Sequence, residues 1–143
     1  MAFRSFAHWS EPLARASRVV TRLRCIGALD STDVAEIRGM KHLRDLVLEG
    51  IETFPLGLCD LAELRSLTIN KRGEPGVTDL PDALCGLVSL RTLRIRATRL
   101  RALPDAIVDM PALVELDVRH SGVHRLPPKL LELRNLRRIA VGE

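Results

Sequence analysis

The feature that most constrains the fold is a six-residue pattern, L-x-x-L-x-L, that recurs along the chain. It occurs as LRDLVL, LRSLTI, LRTLRI, LVELDV and LRRIAV, which begin at residues 43, 64, 90, 113 and 136. VTRLRC (20–25) is a degenerate sixth copy with Val20, Leu23 and Cys25 in the apolar positions. A fixed period of this length predicts a repeat architecture, in which each unit buries its apolar face only against its neighbours.

A second pattern, L-P-x-x-h-x-x-h-x-x-L with h apolar, fills the intervals between the blocks. Its copies are FPLGLCDLAEL, LPDALCGLVSL, LPDAIVDMPAL and LPPKLLELRNL. An amphipathic helical bundle is excluded because prolines would break its helices. These prolines are Pro55, Pro81, Pro104, Pro111, Pro127 and Pro128. Each unit is therefore predicted to form one short strand followed by a segment that returns over the convex side.

The apolar block positions predict two inward-facing rows that stack along the solenoid, since side chains alternate along a strand. The first row is Leu23, Leu46, Leu67, Leu93, Leu116 and Ile139, and the second is Cys25, Leu48, Ile69, Ile95, Val118 and Val141. The predicted fold class is an α/β solenoid, a short curved horseshoe with a parallel sheet on its concave face. The repeat domain would cover residues 20–143, with five to six repeats.

Each end of the predicted solenoid has an open strand edge, which can pair with another chain and is therefore a hazard. In SEPLARASRV, Ser10 is placed to cap a helix N-terminus. Phe3, Phe6 and Trp9 repeat at helical spacing upstream. Residues 1–19 are therefore predicted to form a helical cap over the first strand. At the other end no capping helix follows RIAVGE, so we expect that edge to meet a partner or a second copy, or to be followed by more protein.

Composition limits the classes of function. The chain has 143 residues, of which 46% are apolar and 28% charged, as in a globular protein. Its net charge of +4 is a mild bias toward acidic partners. Nucleic-acid binding is disfavoured because no aromatic side chains interleave with the arginines of the sheet. No run approaches the ~20 apolar residues of a membrane span, and no classical signal peptide is present.

No catalytic, cofactor-binding or metal-binding motif is recognisable in the sequence, so the chain is predicted not to be an enzyme and to need no cofactor or metal. His120 and His124 lie four residues apart but on a strand end and turn, where solvated histidines are expected. Cys25 occupies an inward row and is predicted to be a core residue. Cys59 and Cys85 occupy matching positions in adjacent units, so a disulfide between them is an open alternative to free thiols.

The third, fifth and seventh block positions are predicted to form the concave face. Their rows are Arg22, Asp45, Ser66, Thr92, Glu115 and Arg138; Arg24, Val47, Thr68, Arg94, Asp117 and Ala140; and Ile26, Glu49, Asn70, Arg96, Arg119 and Gly142. Residues directly opposite each other predict the ion pairs Arg22–Asp45, Arg94–Asp117 and Glu115–Arg138. Arg96 and Arg119 remain as neighbouring like charges and are predicted to be the least satisfied spot on the face.

These charges lead to a binding hypothesis for the concave face. The candidate partner-binding residues are Arg94, Arg96, Arg119, Lys71, Arg72 and His120, which would receive an acidic surface of a partner protein. The alternative is a solvated arginine-rich face without a specific role. A further row at the second block position, Arg44, Arg65, Arg91 and Arg137, is predicted to cover the sheet edge with its aliphatic stems.

The segment LRIRATRLRALPDAIVDMPALVELDVRHSGVHRLP resembles the 23-residue leucine-rich repeats with an L-P turn, over about residues 20–143. Such repeats occur in the intracellular Ras-associated scaffolds and in type III effectors of plant-pathogenic bacteria. The family often has Asn three residues after the block, where this chain has Thr98 and Ser121, and a hydroxyl can partly replace the amide. Together with 19 Arg against 3 Lys, this favours similarity to the effectors, particularly the XopL-type group.

The resemblance implies a non-enzymatic protein-interaction module that binds a partner on its concave face, and a bacterial virulence effector that acts in a host cell. The alternative is the substrate-recognition arm of a larger enzyme such as an E3 ubiquitin ligase. XopL-type members carry that activity in a separate C-terminal domain, to which nothing in this sequence corresponds. We expect a cytoplasmic protein, or one secreted into a host cell without a classical signal peptide, that is a monomer or a weak dimer through its C-terminal edge.

Overall fold

The computed structural model describes residues 2–5, 20–72, 76–96 and 99–142, with side chains described from residue 20 onward. Its seven strands form one parallel sheet in sequence order. The strands are β1 (Ala2–Ser5), β2 (Arg22–Ile26), β3 (Asp45–Glu49), β4 (Ser66–Asn70), β5 (Thr92–Arg96), β6 (Glu115–Asp117) and β7 (Arg138–Ala140). Strands β2 to β7 coincide with the six sequence blocks, which confirms the predicted solenoid.

The segments that connect the strands run over the convex side and contain short helices. After β2 comes an α-helix, α1 (Ser31–Arg38), whose N-terminus is closed by a reciprocal capping box between Asp30 and Asp33. The later units have 3-10 helices instead: η1 (Leu56–Asp60), η2 (Asp82–Gly86), η3 (Asp105–Asp109) and η4 (Pro128–Glu132). The residue before each 3-10 helix is the proline of the L-P pattern, which has a fixed φ near −65°.

The core lies between the sheet and the convex segments, and both predicted inward rows line it. Every member of the two rows from β2 to β6 is buried. Ile139 in β7 is only partly buried and Val141, just after β7, is 52% exposed, because no unit within the described residues packs over them. Burial of each such aliphatic side chain stabilises the fold by roughly 1.5–3 kcal/mol.

A repeated backbone contact holds neighbouring strands in register. The carbonyl of the residue before each strand accepts two N–H donors from the next unit, at 2.8–3.1 Å. The accepting carbonyls are those of Thr21, Arg44, Arg65, Arg91 and Val114, and the donors are at residues 44 and 45, 65 and 66, 91 and 92, 114 and 115, and 137 and 138. This contact repeats once per unit, so the six blocks stack without a register shift.

The N-terminal prediction is partly wrong. Ala2–Ser5, expected to be helical, form the strand β1, which pairs in parallel with β2. The physical reason is that the backbone groups on the outer edge of β2 are satisfied by a further strand. The predicted helix at SEPLARASRV and the aromatic residues Phe6 and Trp9 lie outside the described residues.

The turns after the strands show how a serine replaces the asparagine of similar repeats. The Ser121 hydroxyl donates to the Val118 carbonyl at 2.5 Å and accepts from the Val123 N–H at 3.3 Å. This confirms the predicted role of Ser121, whereas Thr98 lies outside the described residues. The irregular loop after β4, of which 73–75 are not described, returns to the core at Val77, which is buried.

Candidate functional site

The concave face of the sheet carries charged side chains in two groups, separated by a neutral strand. On β4 the outward side chains are Ser66, Thr68 and Asn70, all of them partly exposed. The charged residues therefore lie on β2 and β3 to one side, and on β5, β6 and β7 to the other. The register of the strands places the third and fifth block positions in rows, as predicted, and the seventh position in a row from Ile26 to Arg96.

The first group, which we call the N-terminal charge cluster, consists of Arg22, Asp45, Arg24, Glu49 and Arg72. Arg22 pairs with Asp45 at 2.7 Å. Arg24 Nη2 donates to both carboxylate oxygens of Glu49, at 2.7 and 2.8 Å. Arg72 reaches the same carboxylate at 4.0 Å. The three cations and two carboxylates leave this cluster with little excess charge.

The second group, the arginine cluster, consists of Arg94, Arg96, Arg119 and Arg138 around the carboxylates of Glu115 and Asp117. Arg94 donates to Glu115 Oε1 through Nη2 at 3.1 Å and through Nε at 3.3 Å. Arg138 approaches the other oxygen of Glu115 at 4.0 Å. Four guanidinium groups face two carboxylates here, so this end of the concave face is positively charged.

Asp117 is the centre of the arginine cluster and is buried, with 2% of its side chain exposed. Its Oδ2 accepts from Arg96 Nη2 at 2.6 Å and from Arg119 Nη2 at 2.8 Å. Its Oδ1 accepts from Arg119 Nε at 3.0 Å and from the Arg119 backbone N–H at 3.1 Å. One carboxylate thus holds two guanidinium groups side by side on the concave surface.

The outer faces of these arginines remain available to a ligand. The side chains of Arg94, Arg96 and Arg119 are 39%, 42% and 45% exposed. Their Nη1 groups donate no hydrogen bond to any other part of the chain that the structure describes. Charge-assisted hydrogen bonds from such guanidinium groups suit carboxylate and phosphate oxygens.

Two of the three predicted ion pairs are confirmed, and one is wrong. Arg22–Asp45 and Glu115–Arg138 are present. Arg94 pairs with Glu115 and not with Asp117. The prediction that Arg96 and Arg119 are the least satisfied charges is also wrong, because Asp117 binds both. The reason is that Arg94 and Arg96 reach carboxylates at diagonal positions of the neighbouring strand, and Arg119 reaches Asp117 two residues earlier in the chain, whereas the prediction considered only residues directly opposite.

The remaining predicted site residues do not all lie together. The Lys71 backbone N–H donates to the Arg96 carbonyl at 3.2 Å, so Lys71 lies beside the arginine cluster. Arg72 belongs to the N-terminal charge cluster through Glu49. His120 is exposed at the end of β6, where its φ of 57° lies in the left-handed region. Its backbone N–H donates to the Gly142 carbonyl at 2.9 Å.

The three cysteines are free thiols, and burial makes Cys25 and Cys59 poorly suited to nucleophilic chemistry. Cys25 is fully buried in the inward row, as predicted, and burial raises its pKa far above the ordinary value. Cys59 and Cys85 are unbonded. Burial, followed by the nearby charge of Asp60, raises the pKa of Cys59 to about 11. Since the thiolate is the reactive form, Cys25 and Cys59 act as core side chains.

Neither a metal site nor a membrane-spanning helix is formed by the residues that the structure describes. In that part of the chain, no three His, Cys, Asp or Glu side chains are placed to hold a metal ion together. His124 Nδ1 instead lies 3.0 Å from the carbonyl of Gly122, two residues earlier. No helix among residues 20–72, 76–96 and 99–142 is long and apolar enough to span a bilayer.

Asp117 also makes the stability of the fold depend on pH. Hydrogen bonds from Arg119 hold its pKa well below the usual range, and Arg96 acts in the same direction, while burial opposes both. Because the folded pKa is lower than the unfolded value of ~3.9, this stabilisation is present above about pH 5 and is lost as the pH falls. We expect wild type to lose about 1 kcal/mol more free energy of unfolding than Asp117→Asn between pH 6 and pH 3.

Urea unfolding of both proteins at each pH measures this difference. The Asp82→Asn variant serves as the control, since it also removes one carboxylate, from an exposed position on η2 far from the arginine cluster. Parallel profiles for wild type and Asp117→Asn would contradict the assignment of the effect to Asp117.

Comparisons with known proteins agree with this geometry. No protein-family model matches the chain, and no curated protein matches its sequence. Among solved structures, a leucine-rich repeat protein of Leptospira interrogans is similar at a TM-score of 0.78 and 21% identity, covering 98% of this chain and 36% of that one. The leucine-rich repeat domain of the type III effector XopL is similar at 0.77 and 23% identity, with 98% and 51% covered.

A third similar structure contains a bound peptide. It is the leucine-rich repeat ectodomain of the Arabidopsis receptor kinase HAESA in complex with a peptide hormone, at a TM-score of 0.56, 17% identity, and coverage of 87% and 21%. The chain thus spans about a third to a half of the length of the first two structures it matches. With its parallel strands, L-P turns and stacked leucine rows, it has the leucine-rich repeat fold and resembles the repeat domain of XopL.

Proposed function

We propose that this chain is a non-enzymatic protein-interaction module that binds an acidic surface of a partner protein with its arginine cluster. The proposal rests on the hydrogen bonds at Asp117, where one buried carboxylate accepts from Arg96 and Arg119 and holds them side by side. Similar solved folds support the coarser part of the proposal, since one of them holds a peptide ligand.

Preorganisation makes this cluster a better binding surface than scattered arginines. A free arginine side chain loses about 2 kcal/mol of rotamer entropy when it is immobilised. In the cluster, the pairs with Asp117 and Glu115 already restrict Arg94, Arg96 and Arg119. When a partner carboxylate binds the Nη1 groups, the arginine side chains therefore lose less rotamer entropy than free ones would. The carboxylate also meets a local excess of positive charge.

The rim of the cluster extends the proposed surface. Lys71 lies beside Arg96, and His120 follows Arg119 at the end of β6. Arg72 would contribute only to a partner large enough to cross β4, since it lies with Glu49. The similarity to the XopL repeat domain supports a further proposal, that the partner is a host-cell protein and the chain acts as a bacterial virulence effector.

The test must lower the positive charge of the arginine cluster without unfolding the protein. Glutamate at position 96 or 119 would stand against the buried carboxylate of Asp117 and destabilise the protein, so charge reversal is a poor probe. The triple variant Arg94→Gln, Arg96→Gln, Arg119→Gln removes three charges and keeps amide donors. Its matched control is Arg65→Gln, Arg91→Gln, Arg134→Gln, which removes three exposed arginines outside the three concave rows.

We expect a partner captured from host lysate to bind wild type and the control triple, and to bind the concave triple at least about tenfold more weakly, as for the loss of an arginine hot spot. Binding of the purified partner should weaken as salt is raised. Thermal unfolding must first show that both triples fold. Equal retention by the two triples would rule out the arginine cluster as the site. A salt-sensitive shift of labelled RNA at physiological salt would instead favour nucleic-acid binding.

A further inference from the structure

The guanidinium groups of Arg96 and Arg119 converge on one point of the concave face. Both Nη2 atoms lie within 2.8 Å of the same oxygen, Asp117 Oδ2. Each arginine also turns its Nε toward this carboxylate, at 3.2 Å for Arg96 and 3.0 Å for Arg119. Asp117 therefore occupies one edge of each planar guanidinium. The opposite edge, with the Nη1 donors, makes no hydrogen bond to the part of the chain that the structure describes.

The positive charge around this point exceeds what one carboxylate can neutralise. The arginine cluster has four guanidinium groups and two carboxylates, which leaves two positive charges in excess. A phosphate monoester carries about −1.5 to −2 charges at pH 7 and has three acceptor oxygens, so it can neutralise nearly all of this excess. Its oxygens can also face both open guanidinium edges at once, whereas the two oxygens of a carboxylate match a single edge.

The neighbouring strand β4 has neutral hydrogen-bonding groups beside this point. Asn70 lies in register with Arg96, and Thr68 lies in register with Arg94. Both β4 side chains are partly exposed, and neither makes a hydrogen bond with another described residue. Hydroxyl and amide groups of this kind can bind the backbone of an extended segment that crosses β4. They add no charge, so the positive excess stays confined to the arginine cluster.

This confinement favours a single phosphate over a nucleic acid. Proteins that bind a nucleic-acid strand follow its many phosphates with a positive groove and stack its bases on aromatic side chains. Here the excess charge ends at the neutral side chains of β4, and the N-terminal charge cluster beyond them has little excess of its own. Phe54, the one aromatic residue whose side chain the structure describes, is buried.

We propose that the arginine cluster binds a phosphoserine or phosphothreonine of its partner protein, with the phosphate between the outer edges of Arg96 and Arg119. Arg94 and Arg138 supply the remaining positive charge, and Asn70 lies beside the phosphate. This inference rests on the proposed function and narrows it from an acidic surface to a phosphorylated segment. Phosphorylation of the partner would then switch its binding on.

The first test compares three peptides that share the sequence AGAXAGA, in which X is phosphoserine, glutamate or serine. Each peptide is titrated at low salt into the isotope-labelled 143-residue chain, and backbone amide and arginine Nε–H signals are followed by NMR. We expect the phosphoserine peptide to bind about fivefold more tightly than the glutamate peptide, a ratio that corresponds to roughly one additional net hydrogen bond. The serine peptide should not bind measurably. The largest shifts should occur at the Nε–H groups of Arg96 and Arg119.

A pair of matched double variants tests whether the two guanidinium groups cause the preference. Arg96→Gln, Arg119→Gln removes both open edges and should abolish the preference for phosphoserine over glutamate. Arg65→Gln, Arg91→Gln removes two exposed arginines outside the concave rows and should retain it. The NMR spectrum of each free variant shows whether it is folded. If the first variant unfolds, the map of shifted signals in wild type still decides where the phosphate binds.

The partner captured by the wild-type chain provides the second test. Phosphatase treatment of this partner should weaken its binding at least about fivefold relative to a mock-treated sample, as for the peptides. Phosphatase-insensitive binding of a partner that the concave triple variant loses would overturn this inference and leave the proposed function standing.

Three results with the peptides would also overturn the inference. These are no binding of the phosphoserine peptide at millimolar concentration, equal affinity for the phosphoserine and glutamate peptides, or shifts that lie outside the arginine cluster. A labelled RNA that binds more tightly than the phosphoserine peptide at the same salt, and that Arg96→Gln, Arg119→Gln loses, would assign the cluster to nucleic acid instead.

Discussion

Replacing Leu93 with alanine is expected to lower the free energy of unfolding by about 2–5 kcal/mol. Leu93 has no exposed surface and lies in register between Leu67 and Leu116, in the middle of the first inward row. The truncation leaves a cavity that touches the units on both sides. In a solenoid, stability comes from such interfaces between neighbours, so the loss is not confined to one repeat.

Urea unfolding followed by circular dichroism measures this loss, with two variants as controls. Thr92→Ala changes the adjacent residue, which faces the concave surface, and should stay within about 0.5 kcal/mol of wild type. Val141→Ala truncates the exposed last member of the second row and should cost less than about 1 kcal/mol. A cost at Leu93 no larger than at Val141 would contradict the stacked-row account of stability.

The second large effect is expected at Asp117. Asp117→Leu should lower the free energy of unfolding by about 2–4 kcal/mol, near the lower end of the range for breaking a buried ion pair. The leucine leaves Arg96 and Arg119 as adjacent like charges and removes the acceptor of the Arg119 backbone N–H. We expect a loss below the upper end of that range because both guanidinium groups remain accessible to water.

Chemical unfolding at pH 7 tests this expectation, and Asp117→Asn separates its parts. Asparagine retains an acceptor for the Arg119 N–H but carries no charge. The free energy of unfolding of Asp117→Asn should therefore lie between those of wild type and Asp117→Leu. If Asp117→Leu is as stable as wild type, the desolvation of the carboxylate cancels its ion pairs, as happens in some buried pairs. The cluster would then orient the arginines without stabilising the fold.

The architecture could be predicted because it depends on period and polarity alone. Leucine at the fourth and sixth block positions can be buried together only if the blocks form strands that stack in register, as Leu46 and Leu67 do. The prolines of the L-P pattern excluded long helices and left room only for short connections. The concave rows followed from the same alternation, and the strand register shows the third- and fifth-position rows from β2 to β7 and the seventh-position row from Ile26 to Arg96.

The ion pairs on that face could be predicted only in part. Sequence register identifies which charges share the surface, but not which of several carboxylates a long arginine reaches. Arg94 pairs with Glu115 and not with the directly opposite Asp117. Asp117 instead pairs with Arg96 and Arg119. The Arg94–Glu115 and Arg96–Asp117 pairs join diagonal positions of neighbouring strands, whose Cα atoms are only about 7–8 Å apart, and the Arg119–Asp117 pair joins residues two apart in the chain.

The sequence by itself determined the repeat, the strand positions, the inward rows and the basic character of the concave face, because these follow from local periodicity. The tertiary structure alone decided how the N-terminal edge of the sheet is covered. Ala2–Ser5 belong to no repeat and carry no block pattern, yet they pair with β2, since an unpaired edge backbone needs hydrogen bonds from whatever segment lies near. It also decided that Asp117 is buried under two arginines, because burial and pairing depend on side-chain reach across neighbouring strands.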